Sequence, residues 1–223
     1  MLLPNTPLTR LRSADQPEQF QLPGDRVLAR WVAPGARIEL LPTPYDPDLA
    51  LENWGPLTDC RAAVWRIDAH TLLTRVQFSA GLPEGVVGGY DGGQALAAIT
   101  VEDRGTRLPL GGADEEAICR AADWGEVPRR WAGLVDEVDD HSSSTWGVDY
   151  GHYHGMSWTL PPLQAGDHCE LPLVAAWAPA TDDCANTWYA VMASPTLLLS
   201  QVTRAERWTQ GSARQRQQLP LHI

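Results

Sequence analysis

The sequence predicts a mainly β protein, an antiparallel immunoglobulin-like β-sandwich with a helical insertion. Three observations carry that prediction. Short segments of strand character recur along most of the chain. Turn residues punctuate them, with 19 Gly and 18 Pro in 223 residues. Helical spacing of apolar residues is confined to one stretch, 113–139. Many short strands separated by turns pack as two sheets around one core; a jelly roll is the alternative packing of the same strands. At 43% hydrophobic and 20% charged residues, the chain can bury a core large enough to offset its ordering entropy.

Residues 1–24 are rich in Pro, Gln and Leu without a period and are expected to form an extended arm. The main domain is expected over 25–203. It opens with strands Val27 to Val32 and Arg37 to Leu41 around Ala33-Pro34-Gly35. Ala62 to Ile67 and Thr71 to Phe78 flank Asp68-Ala69-His70, a hairpin-length connection. Gly81 to Gly93 holds too many glycines for a helix and predicts a wide loop ending near Tyr90. Leu96 to Val101 is a strand with Ile99 and Val101 on one face, turning at Glu102-Asp103-Arg104-Gly105 into Thr106 to Leu110. At 113 the pattern changes. Ala117, Ile118, Ala121 and Trp124 are helically spaced behind Asp114, Glu115 and Glu116, whose carboxylates suit a helix N-terminus. Pro128 opens a second helix, with Trp131, Leu134, Val135 and Val138 as its apolar stripe. Met156 to Leu160 and His168 to Ala178 are strands, and Thr187 to Ala193 with Thr196 to Thr203 is expected to be a hairpin over Ser194-Pro195. Residues 204–223, with four Arg and one Glu, carry +3 and are expected to be a mobile tail. Taking that from the total of −11 leaves −14 on the rest.

That acidity argues against nucleic acid, which is bound chiefly through Lys and Arg neutralising phosphates. It disfavours an anionic membrane surface for the same reason. No segment approaches the roughly 18 apolar residues of a membrane span, and the first residues lack a signal peptide's apolar core. The expected location is the cytoplasm. The four cysteines, Cys60, Cys119, Cys169 and Cys184, form no C-x-x-C. Free buried thiols are the default, and a Cys169–Cys184 bridge is the alternative.

The 17 basic residues are all Arg, as in proteins of high-GC bacterial genomes. The run Ile99-Thr100-Val101-Glu102-Asp103-Arg104-Gly105-Thr106-Arg107 resembles a strand–Asp-Asp-Arg-Gly-Thr–strand signature of uncharacterised β-sandwich proteins of such bacteria, chiefly actinobacteria. Glu102 stands where the first Asp of that signature falls. Leu160-Pro161-Pro162-Leu163 is similar to a later Pro-Pro strand of the same proteins. The likeness covers about 60–203 and implies a fold, not an activity. In the turn itself, Gly105 supplies backbone freedom and Asp103 accepts from turn amides. Arg104 pairs with a carboxylate, lies across an aromatic ring, or contacts a ligand.

The densest cluster of candidate ligands is 136–154. His152 and His154 form H-x-H, which on a strand projects both rings from one face. With His141 and Asp149 they make a candidate site for a divalent metal. A cupin's later Glu is missing after His154, and the EF-hand spacing is absent among the acids. No nucleophile elbow or phosphate loop is present, so an enzyme is not what the residues favour. Trp146, Tyr150, Tyr153 and Trp158 surround the His-rich loop, and Tyr90 lies in the Gly-rich one. Exposed aromatic side chains of this kind suit contact with a partner's apolar surface or a sugar. The leading expectation is a non-enzymatic binding or interaction module without a cofactor, recognising a protein or small ligand through loops 136–158 and 85–93. A metal-dependent protein is the alternative, and homo-oligomeric assembly through edge strands the third.

Overall fold

The computed structural model describes residues 9–13, 30–33, 35–43, 57–82, 86–93, 95–103, 105–134, 145–180 and 191–200. They form a mainly β fold of antiparallel sheets with a few short helices. The strands are β1 (Thr9–Ser13), β2 (Arg30–Ala33), β3 (Ala36–Thr43), β4 (Asp59–Ala69), β5 (Val76–Gly81), β6 (Gly89–Tyr90), β7 (Leu96–Asp103), β8 (Thr106–Ala113), β9 (Gly147–Asp149), β10 (Gly155–Leu160) and β11 (His168–Pro179). The smaller sheet runs β1-β5-β10-β9 and the larger β2-β3-β4-β11-β8-β7-β6. Four and seven strands exceed the seven to nine in all of an immunoglobulin domain.

The two sheets share one core. Val76 and Ala80 of β5 and Met156, Trp158 and Leu160 of β10 pack with Ile38, Trp65, Ile67, Ile99, Leu110, Leu171 and Leu173 of the larger sheet. β10 alternates buried and half-buried residues, as a strand with one solvent-facing side does. β11 instead buries Leu171 through Ala176 without a break. The reason is a second apolar layer on the outer face, where Ala62, Val64, Leu96, Ala98, Val174 and Ala176 lie under Val191, Ala193 and Leu198.

Two adjacent glycines of β8 set the layer spacing. A Cβ on Gly112 would stand 2.8 Å from Trp158 Cζ2 and 2.9 Å from the Pro172 carbonyl oxygen. A Cβ on Gly111, on the other face, would stand 2.9 Å from Val191 Cγ2. The missing side chain at Gly112 lets the Trp158 ring reach the larger sheet, where its indole N–H donates to the Ala113 carbonyl at 2.8 Å.

Several expected elements are present, including the β2–β3 and β7–β8 hairpins, with β3, β7 and β8 longer than expected and β2 described over Arg30–Ala33. Three differ. The expected hairpin over 68–70 is a crossover: β4 pairs with β3 and β11 in the larger sheet, whereas β5 pairs with β1 and β10 in the smaller. β4 is 11 residues long, and its partners on both sides leave no place for β5. The expected hairpin over Ser194-Pro195 is not formed either, because 195–200 is helical. The Ser194 hydroxyl accepts from the Leu197 amide at 3.2 Å, which caps the helix, and Pro195 takes its first position. In the helical insertion, Glu115–Arg120 is an α-helix capped by Asp114, whose carboxylate accepts from the Ala117 amide at 2.8 Å. Gly125 at φ 72° ends the following 3-10 turn Ala121–Trp124. The second helix is a 3-10 turn, Arg129–Leu134, that buries Trp131; Val135 and Val138 lie outside the described residues. Part of the expected N-terminal arm is β1, and the tail 204–223 lies outside the described residues.

Gly112→Ala is expected to cost about 1–3 kcal/mol, the range for overpacking a close-packed core. Gly111→Ala should cost less, because it meets side-chain atoms that can shift. Urea unfolding of both variants checks this, and equal midpoints for Gly112→Ala and the parent would refute the spacing role.

Candidate functional site

The ends of both sheets meet where the Gly-rich loop approaches the His-rich one. β6, carrying Tyr90, is the last strand of the larger sheet, and β9, followed by Tyr150, is the last of the smaller. Their rings pack edge to face with centroids 5.0 Å apart and planes at 81°, the arrangement an aromatic quadrupole favours. A Cβ on Gly92 would lie 2.9 Å from the Tyr90 hydroxyl, so the ring is confined on that side too. Burial first, then the nearness of Tyr90 and Glu115, holds the Tyr150 phenol above its usual 10, and it stays protonated.

The chain then makes an unusual turn. Gly151, His152 and Tyr153 take φ values of 48°, 53° and 66° in succession. Glycine does so freely, but an L side chain costs roughly 1–2 kcal/mol in that region. The turn is secured by hydrogen bonds along its length. The Asp149 carboxylate accepts from the Gly151 amide at 3.0 Å, and the Tyr150 carbonyl from the Tyr153 amide at 2.6 Å. The Tyr153 carbonyl accepts from Gly88 at 2.8 Å and the His154 carbonyl from Leu82 at 2.9 Å. His154 Nδ1 lies 3.2 Å from the Val86 carbonyl oxygen, so it carries the proton there. β9 is held from behind by Glu115, whose carboxylate accepts from the Val148 amide at 2.7 Å. The described parts of the two loops named from sequence, 86–93 and 145–158, are thus one hydrogen-bonded rim. Tyr90 is 57% exposed and Tyr153 41%, and Asp149, His152 and His154 are also exposed.

Two candidates belong elsewhere. Trp146 is 8% exposed and Trp158 4%. Both are core residues, because Trp158 points inward on β10 over Gly112 and Trp146 joins the same cluster. The H-x-H residues are not on a strand: the left-handed turn separates His152 from His154, so the shared-face geometry behind the metal reading is not formed. Among the described residues no three His, Cys, Asp or Glu side chains converge as a ligand set. Arg104 and His141 lie outside the described residues. Cys169 is a buried free thiol whose pKa burial pushes up; Cys184, its partner in the alternative bridge, lies outside the described residues.

A second polar group was not foreseen. On the outer face of β4 and β11, His168 Nδ1 lies 2.8 Å from Asp68 and Nε2 3.3 Å from Glu170. Arg66 donates to the same Glu170 oxygen from Nε at 2.8 Å and from Nη2 at 2.6 Å. The i, i+2 pairs Arg66/Asp68 and His168/Glu170 are visible in the sequence. That they oppose each other depends on the β4–β11 register.

No family model and no curated protein matches the chain. Among solved structures it is similar to a "putative kojibiose phosphorylase from human microbiome", at 6% identity and a TM-score of 0.41. The likeness spans 78% of this chain but 22% of that one, and nothing about activity follows from it. No helix among the described residues is long and apolar enough to cross a membrane.

With a carboxylate at each ring nitrogen, the His168 imidazolium is favoured. The Glu170 contact, then Asp68, raises its pKa above the usual 6.5 against the effect of burial. Its contribution is therefore complete below pH 6.5 and lost as pH rises through the raised value. Glu170, lowered from 4.5 chiefly by His168 and then Arg66, contributes above pH 4.5 and loses that as pH falls through its depressed value. His168→Gln is expected to lower stability by less than about 1 kcal/mol, since the group is partly solvated. The loss should be visible at pH 6 and shrink toward pH 9. Urea midpoints across that range check it, and a pH-independent difference would refute the assignment.

Proposed function

We propose that the protein is a non-enzymatic binding or interaction module of the cytoplasm, and that the rim of Tyr90, Tyr150, Tyr153, Asp149, His152 and His154 is its recognition surface. The observation that carries this reading is the pairing of exposure with restraint. Tyr90 and Tyr153 are large, solvent-facing aromatic side chains. One is locked by an edge-to-face partner, the other displayed by a turn with two L residues in the left-handed region. Strain of that kind persists only where surrounding bonds enforce it, and it concentrates at functional sites. Rigid aromatic anchors lose little freedom on association and dominate many interfaces. Kinship with the actinobacterial sandwich proteins belongs to the same proposal. It rests on the signature residues of the sequence, which fall across the β7–β8 hairpin with Gly105 at φ 75°.

A photo-crosslinking residue placed at Tyr153 in the full chain tests the proposal in a lysate of a high-GC bacterium. A discrete crosslinked product is expected, lost when Tyr90→Ala is added and absent when the crosslinker replaces exposed Thr71. Equal labelling from Tyr153 and Thr71 would refute a recognition surface at the rim.

A further inference from the structure

We infer that the rim receives a cationic side chain, an arginine guanidinium on a basic peptide segment of a partner; this rests on the rim being a recognition surface. Two properties coincide there. Tyr90 and Tyr153 are exposed, and the face of an aromatic ring carries the negative side of its quadrupole, which attracts a cation placed over it. Carboxylates also stand on and behind this rim. Asp149 stands exposed on the turn itself, and Glu115 and Asp114 act on the Tyr150 hydroxyl from behind.

The partners of these acids matter. Asp149 accepts from the Gly151 amide, Glu115 from Val148 and Asp114 from Ala117. Backbone amides fix the carboxylates without cancelling their charge. Asp91, one residue past Tyr90, is different: Arg107 meets it at 2.7 Å while also reaching Glu102 at 3.1 Å. The arginine described beside the rim is therefore already committed to other acids. A chain of net charge −11 draws in a cation and repels an acidic peptide. A neutral sugar would use the same ring faces and donate its hydroxyls to the carboxylates, but it would gain no charge–charge attraction from them. Because Tyr150 and the Gly92 backbone confine Tyr90, little ordering accompanies binding.

The test titrates the full chain with three probes: a blocked Gly-Arg-Gly-Arg-Gly peptide, its Glu counterpart and maltotetraose. The ring resonances of Tyr90 and Tyr153 are followed by NMR. The Arg peptide alone should shift both, and its binding should weaken as salt is raised. Tyr90→Ala should weaken it about tenfold, while Tyr90→Phe, which keeps the ring, should not. Asp149→Asn removes the charge but keeps an oxygen for the Gly151 amide, so it should weaken binding without changing the unfolding midpoint. If the Arg peptide leaves both rings unmoved, or Tyr90→Ala and Asp149→Asn bind it as the parent does, the inference is wrong. Shifts produced by maltotetraose alone overturn the cationic ligand and leave the recognition surface standing. Loss of the Tyr153 crosslink specificity removes both.

Discussion

The structure depends on one contact between its sheets. Trp158 leaves the smaller sheet, lies over the bare backbone of Gly112 and donates its indole N–H to Ala113. A large aromatic side chain buries extensive apolar surface, but its N–H must find an acceptor once buried. Here β8 supplies both the space and the acceptor from neighbouring residues. The consequence reaches the outer layer, since Gly111 on the opposite face of β8 opens the space that Val191 fills. Inner core and outer cover are thus separated at β8 by little more than a peptide backbone.

Elements whose cause is local were legible in the sequence. The β7–β8 hairpin follows from alternation on both sides of a Gly-containing turn, and Asp114 caps the helix it was expected to begin. Elements decided by distant partners were not. Nothing between Ile67 and Thr71 indicates that β4 and β5 separate into different sheets, because that outcome rests on β11 occupying the edge of β4. The helix at 195–200 did leave a local signal, a Ser-Pro pair at cap and first helical position, but the same dipeptide also suits a turn. Burial was the weak link for the aromatic residues. Proximity in sequence grouped Trp146 and Trp158 with the tyrosines, whereas strand alternation and the gap at Gly112 assign Trp158 to the core, and Trp146 packs in the same cluster.

The rim was legible as a region and not as a geometry. Histidines and tyrosines within a few residues mark a place where polar and aromatic chemistry concentrate. Only the backbone shows that 151–153 turn through the left-handed region and that the Gly-rich loop supplies the carbonyl and amide that secure them. Glycine at 88 is part of that arrangement, since a Cβ there would meet the Thr100 carbonyl oxygen at 3.0 Å. The composition of one loop therefore serves the conformation of the other.

The strands that bring the rim together are also very short. β6 has two residues and β9 three, and each ends its sheet. A partner that recognises a protein by adding a strand needs a row of unpaired backbone donors and acceptors along an edge. Here that row is too brief to template an extended segment, which is a common protection against edge-to-edge aggregation. On the proposed reading of the rim as a recognition surface, selectivity falls to side chains, and sequence changes at Tyr90, Asp149 or Tyr153 retune it without altering how the sheets pair.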